Sequence, residues 1–342
     1  MNARLELEVE LSGEVVELAQ AELASLAEGL GASISSESTR PAARIVALEV
    51  PDMEVARELV ARLSLAHRVV RVIGSEAMAK ERLLAEGKRG VSASFRLRGH
   101  PTAPGSDPRI HRLAQIWKSG GGTIDLEHPA RRFWVDGSDI ASSRLLEEVG
   151  AVDRGAIRAR RISRLPFSRP VGLDPRLARA AANLALAGPG RRIVDPFVGT
   201  GALLAEAALL GADVTGVDVD LEMIRGAARN LEAVGHPGAR LLGGDAGTLA
   251  ERFPDGWFDA LLTDAPYGRA SGTGGEPVSE LIARVLPLWA RRVRDDGRVV
   301  LVTAGGPDPL SEPWRRTVSV PVRQHRSLTR EFRVYRRSVS LT

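Results

Sequence analysis

Apolar and polar positions along the chain follow two rhythms, which meet near Phe167. In the first, Leu5, Leu7 and Val9 alternate at strand period, and Glu14 to Leu30 has helical spacing that meets a stop at Gly31. Ile45 to Val50 reads as a strand, Pro51-Asp52 opens a helix running to about Ser64, and His67 to Ile73 is a further strand. A helix from Ser75 to Glu86 leads into a strand at Val91 to Leu97 and a helix at Pro108 to Ser119. Gly120-Gly121-Gly122 marks a turn, Thr123 to Leu126 an extended piece and Arg132 to Val135 another strand. Asp153 to Arg164 lacks a pattern and reads as a linker. The order of the first 74 residues predicts a ferredoxin-like α+β unit, followed by a second α+β unit over 75–152.

From Phe167 strands and helices alternate. Arg192 to Val194 is a buried strand, followed by Gly199-Thr200-Gly201 and a helix through Leu210. Asp213 to Val217 and Leu221 to Val234 are the next strand and helix. Leu241-Leu242, Phe258 to Leu262 and Arg298 to Val302 supply further strands, the last two separated by a helix from about Val278 to Val293. This cadence predicts an α/β fold with a Rossmann-like, doubly wound, mostly parallel sheet and ligands at the strands' carboxyl edge. The expected boundaries are 1–74, 75–152, a linker at 153–166, and the α/β domain at 167–342.

Composition narrows the function classes. Hydrophobic residues make up 44% and charged residues 26%, as in ordinary globular chains. No apolar run is long enough to span a bilayer, and the start of the chain lacks the layout of a signal peptide. The cytoplasm is therefore the expected location, with no membrane partner. The absence of cysteine excludes disulfides, thiolate metal sites and a cysteine nucleophile. The six histidines, His67, His100, His111, His128, His236 and His325, have no ligand spacing, so no metal site is predicted. Charge is uneven: residues 1–60 carry 4 basic and 12 acidic side chains, residues 61–170 carry 21 and 11. The basic middle suggests a face for a polyanion, although solvated arginines would give the same count. Arg315 to Arg337 holds 8 arginines against Glu331 and could line an RNA groove or edge the sheet; the first is the preferred expectation.

Four short motifs carry the chemistry. Asp195-Pro196-Phe197-Val198-Gly199-Thr200-Gly201 follows a buried strand, and glycines at such a turn let backbone approach a ligand and expose helix N–H groups. In Gly216-Val217-Asp218-Val219-Asp220, Asp218 ends a strand and is placed to bond both hydroxyls of a ribose. Asp220 reads as a helix cap, and Met223 could cover an adenine face or simply join the core. Gly244-Asp245-Ala246 follows the third strand; Asp245 could accept from an adenine amino group or cap a helix. The fourth motif, Asp264-Ala265-Pro266-Tyr267-Gly268-Arg269, follows the apolar strand Ala260-Leu261-Leu262. An acid, a proline and an aromatic in that order suit reaction at an exocyclic amine, whose lone pair is delocalised into its ring. Asp264 can accept a hydrogen bond from the amine and take its proton. Pro266 fixes the turn, and Tyr267 offers a face for an extruded base. The glycine-bearing stretch Ala270 to Glu276 could gate the site or be an ordinary loop.

On these motifs, residues 167–342 resemble the amino-methylating Rossmann-fold S-adenosylmethionine methyltransferases. Within them they resemble the THUMP-containing tRNA guanine N2-methyltransferases of the archaeal type acting on guanine 10. The resemblance implies S-adenosylmethionine as cofactor. Asp195, Phe197, Gly199, Thr200 and Gly201 would hold its methionine part, Asp218 its ribose, and Asp245 and Ala246 its adenine; Val219 and Met223 are further candidate cofactor contacts. Phe167 to Arg179, with Ser168-Arg169-Pro170 and Leu173-Asp174-Pro175, is similar to the family's cofactor-covering stretch, which places Pro170 at the cofactor. Ala265 departs from the family's usual Asp-Pro-Pro-Tyr. Ser92 to Val135, with Phe95-Arg96-Leu97-Arg98 and Ile124 to Pro129, is similar to a THUMP domain. That makes tRNA the expected partner and Arg96, Arg98, Arg109, Arg112, Lys118, Arg131 and Arg132 candidate phosphate contacts.

The implied activity is methyl transfer to guanine N2, once or twice, by Asp264, Pro266 and Tyr267 in a monomer-like chain, with an auxiliary protein partner left open. The nearest rival is N2-guanine or N6-adenine methylation at another tRNA position, in ribosomal RNA or in DNA. A dehydrogenase would leave Asp264 to Tyr267 unexplained, and a non-catalytic RNA-binding protein would leave the intact motifs idle.

Overall fold

Two sheets take up all the strands among the described residues of the computed structural model, which are 4–36, 43–87, 90–98, 107–137, 143–169, 172–266, 276–325 and 328–338. In chain order the first half contains β1 (Leu5–Leu11), α1 (Val16–Gly29), β2 (Ser33–Ile34), β3 (Ile45–Val50), α2 (Met53–Arg62), β4 (Ala66–Ser75) and α3 (Glu76–Gly87). Then come β5 (Ser92–Leu97), α4 (Pro108–Ser119), β6 (Thr123–Ile124), β7 (Arg131–Asp136), β8 (Arg144–Ala151) and α5 (Arg154–Ala159). These strands form one eight-stranded sheet in the order β2-β3-β1-β4-β8-β7-β5-β6. β1 pairs antiparallel with both β3 and β4, which gives β1 to β4 the order and alternation of a ferredoxin-like sandwich. The two-residue β2 and the polar-rich β8 escape the periodicity reading because neither shows a run of alternating apolar side chains. α3 and α4 cover the far half of the sheet over a core of Phe95, Trp117, Phe133 and Leu145, with the rings of Phe95 and Phe133 stacked 5.1 Å apart.

The second half contains α6 (Pro175–Leu184), β9 (Arg192–Asp195), α7 (Ala202–Leu209), β10 (Asp213–Asp218), α8 (Leu221–Ala233), β11 (Arg240–Gly243) and α9 (Ala246–Ala250). It ends with β12 (Phe258–Asp264), α10 (Val278–Arg291), β13 (Val293–Thr303), β14 (Trp314–His325) and β15 (Leu328–Arg337). The seven-stranded sheet runs β11-β10-β9-β12-β13-β15-β14. Its first five strands are parallel, and the β14–β15 hairpin adds two antiparallel strands. Strand order reverses between β9 and β12, the place where open α/β sheets leave a crevice for ligand at the strands' carboxyl ends. Phe253, Phe258 and Trp289 form the aromatic heart of the core on the α9–α10 face.

One sequence expectation changes here. The stretch Asp153 to Arg164 is not patternless: Asp153 caps α5 by accepting from the Ala156 N–H at 2.8 Å, and a 3₁₀ turn follows at Ile162–Arg164. Arg160 then grips the buried Glu206, 46 residues on. Six residues are too few to show periodicity, so this helix rests on its cap and on a distant ion pair. The arginine-rich C-terminus forms β15 and β14, the last two strands of the sheet, with Arg315, Arg316 and Arg323 exposed. Arg330 and Arg333 are buried, and Arg333, Arg336 and Arg337 pair with Glu331, Glu28 and Asp295.

The chain divides into two compact units: Met1–Leu11, Gly31–Ala61 and Ala66–Val152 in one, and Ser12–Leu30, Arg62–Leu65 and Asp153–Thr342 in the other. α1 thus belongs to the second unit, where it packs on α6. Its buried Glu22 binds that unit together: Oε1 accepts from the Ser64 N–H, the Ser64 hydroxyl and Asn183 Nδ2, and Oε2 from the Leu65 N–H, all at 2.7–3.0 Å. Among the described residues, no helix is long and apolar enough to cross a membrane.

Candidate active site

Each of the four acidic motifs ends at the carboxyl edge of the parallel strands. β9 delivers Asp195, which is 2% exposed and accepts from the Thr263 hydroxyl at 2.6 Å and the Phe197 N–H at 3.0 Å. Burial pushes its carboxyl up to about 7, the two donors oppose this, and the charges of Asp264 and Asp218 add to the rise. The glycine loop follows. Gly199 and Gly201 have φ of 50° and 81°, values that glycine reaches without a Cβ penalty, and a Cβ at Gly201 would press on Ala227 at 3.2 Å. The loop is tied to the next strand by a Val198 N–H bond to the Val217 carbonyl at 2.8 Å.

β10 delivers Asp218, whose oxygens accept from the Gly199 and Asp220 N–H groups at 2.9 and 3.0 Å. Burial raises its pKa against those donors. Beside it Val219 and Leu221 are 58% and 55% exposed, an apolar pair left to solvent at the crevice. Asp220 caps α8 by accepting from the Glu222 N–H at 2.7 Å, as expected, and Met223 is half-buried on the same helix. Asp245 caps α9, accepting from the Thr248 N–H at 2.9 Å. Its other oxygen lies 3.3 Å from Arg284 of α10 and is exposed, so capping leaves lone pairs available. Ala246 is held by its carbonyl, which accepts from Trp289 Nε1 at 2.9 Å.

Asp264 ends β12, next to Asp195 across the switch point. Its Oδ2 lies 3.2 Å from Arg330, while Oδ1 is buried and without a hydrogen-bond partner. Burial pushes its carboxyl up to about 6, and the Arg330 charge restrains the rise. A buried acceptor without a donor is costly, and it is suited to an incoming N–H. Ala265, standing where the resembled family usually has proline, donates its N–H to the Val302 carbonyl at 2.9 Å. Proline has no N–H to give, so alanine here fastens the motif to β13. Pro266 is half-buried next to it. Tyr267, most of the stretch Ala270 to Glu276, and Pro170 lie outside the described residues.

Three residues that sequence patterns left unremarked shape this site. Asn230 of α8 is fully buried and bonds both backbone groups of Phe167 at 2.9 and 2.8 Å and the Thr200 carbonyl at 2.9 Å. It joins the start of the covering stretch to the glycine loop, and the Phe167 ring sits where a Cβ on Gly226 would fall, 2.1 Å away. Thr263 and Arg330 are the other two. The candidate phosphate contacts belong to the first unit. Arg96, Arg112, Lys118 and Arg132 are exposed. Arg98 pairs with Glu8, Arg131 with Glu86 and Glu147, Arg109 with Asp107 at 2.8 Å and the exposed Arg132 with Glu148 at 3.7 Å, which ties these four into the unit's own ion pairs.

Residues 161–317 match the family model of the RMKL-like methyltransferase domain. The tRNA (guanine(10)-N2)-dimethyltransferase of Methanothermobacter thermautotrophicus is 30% identical over 97% of this chain and 100% of its own. The enzyme of the same name from Pyrococcus abyssi is 33% identical over 77% of this chain and 78% of its own. A tRNA (guanine(6)-N2)-methyltransferase from Thermus thermophilus is 29% identical over 73% and 75%. Matched from end to end at that level, and holding an acid at the close of each strand that flanks the switch point, the chain belongs to the family of the tRNA guanine N2-methyltransferases.

Proposed function

We propose that this chain transfers methyl groups from S-adenosylmethionine to the exocyclic N2 of guanine 10 in tRNA. The observation that carries the reading is Asp264: a half-buried carboxylate at the switch point, one oxygen beside Arg330 and the other buried without a donor. Membership of the family and the full-length relative that acts at guanine 10 support the choice of base and position.

The residues present suit the cofactor. Asp195 and Asp218 close adjacent strands, burial raises the pKa of both, and a cation beside them would relieve that cost. Bound there, S-adenosylmethionine supplies an electrophilic methyl group on a positively charged sulfonium. The Asp195 to Gly201 loop would hold the methionine part, Asp218 the ribose hydroxyls, and Asp245 and Ala246 the adenine edge. Val219 and Met223 offer apolar cover. Asp264 Oδ1 accepts a hydrogen bond from the guanine amino group, which localises the nitrogen lone pair. It takes the proton that the amine loses as the new N–C bond forms. Pro266 holds the turn and Tyr267 supports the extruded base. Most of the rate comes from holding the amine in line with the methyl group.

In this reading residues 1–74 are the ferredoxin-like module, 75–152 a THUMP domain that binds tRNA, 153–166 the connection, and 167–342 the methyltransferase domain. Arg96, Arg112, Lys118 and Arg132 are the side chains best placed for phosphate, being exposed.

The test uses purified protein, labelled S-adenosylmethionine and unmodified tRNA transcripts, with nucleoside analysis. Labelled N2-methylguanosine or its dimethyl form that disappears when guanine 10 is replaced is the expected outcome. Label that survives that replacement and vanishes on changing guanine 6 would overturn the position. Asp218→Ala is expected to weaken cofactor binding by about 10-fold or more, since two hydroxyl contacts to a charged acceptor are lost. Calorimetry reads this directly, and unchanged affinity would remove Asp218 from the ribose.

A further inference from the structure

Arg330 is 1% exposed, on the antiparallel hairpin strand β15, 66 residues beyond the carboxylate it faces. A guanidinium taken fully out of water is expensive, and apolar replacements of buried ion pairs are often neutral or stabilising. Its placement therefore calls for a reason other than fold stability. We infer that Arg330 is a positioning residue for methyl transfer: it holds Asp264 by Oδ2, turns Oδ1 toward the amine, and keeps the carboxylate ionised within a buried acidic cluster. This rests on the reading that Asp264 accepts the amine proton.

Among the described residues, the surroundings of Asp264 leave that task to Arg330. From β9 it is faced by the acidic Asp195, with Asp218 of β10 behind it. From β13, the strand paired with β12, come Val302 and Thr303, which carry no charge. From β15 comes Arg330. Burial favours the protonated form, which cannot take the amine proton, and the guanidinium opposes it. With one oxygen fixed, Oδ1 has a single direction in which to accept.

The test compares Arg330→Met and Arg330→Lys with wild type by kcat against pH, cofactor affinity by calorimetry, and thermal unfolding. Arg330→Met should move the acid limb of kcat upward by about one pH unit, as expected on losing an opposite charge at this distance. At neutral pH kcat should fall about 10-fold or more, while cofactor affinity stays within about twofold. Arg330→Lys keeps the charge and loses the planar fork; it should leave the limb in place and lower kcat severalfold. A folded Arg330→Met protein with an unmoved limb overturns the inference. Should Arg330→Met fail to fold, Arg330→Lys decides: wild-type kcat overturns the orienting role, and reduced kcat at an unmoved limb supports it. Turnover retained in Asp264→Ala would instead sink the underlying reading of Asp264, which separates the two failures.

Discussion

Asp264→Ala lowers methyl transfer at least about 100-fold while cofactor affinity stays within about twofold, because positioned proton acceptors contribute roughly 10²- to 10⁴-fold. Asp264→Asn should lose as much, since an amide matches the shape but cannot take the proton. Single-turnover rates and calorimetry on the same preparations check both halves. In wild type the same group sets the pH dependence. Its carboxyl is pushed up to about 6, and only the ionised form accepts. Transfer should therefore be level above that pH and fall tenfold per unit well below it. A profile flat down to pH 5, or an active alanine variant, would remove Asp264 from the chemistry.

Glu22→Ala has the largest expected effect on stability. The carboxylate satisfies four buried donors at once, two backbone N–H groups, a hydroxyl and the Asn183 amide. Removing it leaves the Ser64 and Leu65 N–H groups without acceptors in a fully enclosed place, at roughly 1–3 kcal/mol for each group that water cannot reach, while the Ser64 hydroxyl and the Asn183 amide keep the carbonyls of Arg176 and Arg62. A loss of about 3 kcal/mol or more is expected, which for a unit of this size lowers Tm by roughly 6–12 °C. Glu22→Gln keeps one acceptor oxygen and should lose less. Differential scanning calorimetry measures both, and an alanine variant within about 1 kcal/mol of wild type would show that water reaches the network.

The parallel part of the fold was legible because its signals are local. A buried apolar run such as Ala260-Leu261-Leu262, followed within four residues by an acid and a proline, names both a strand and its carboxyl end. Glycines at Gly199 and Gly201 named the turn. The acids were likewise found from strand ends alone. What makes them a site was not legible. Thr263 reaches Asp195 because β12 lies beside β9, strands separated by two intervening βα units. Arg330 reaches Asp264 only through the order β12-β13-β15. The hairpin itself was obscured because inward-facing arginines break the apolar alternation by which strands are recognised. Asn230 sits in a polar stretch of helix where nothing distinguishes it from its solvent-facing neighbours Arg229 and Glu232.

The assignment of α1 to the unit completed by α6 has a consequence for how the chain is made. Synthesis proceeds from the N-terminus, so Leu18, Leu23, Leu26 and Glu22 leave the ribosome long before the helix that covers them. Roughly 150 residues must follow, about 10–30 s at ordinary elongation rates. During that interval β1, β3 and β4 can pair with one another, while the helix between β1 and β2 waits with an uncovered apolar face. The N-terminal sheet can thus form while α1 still lacks the helix it packs on, and a nascent chain halted before Pro175 holds α1 without α6.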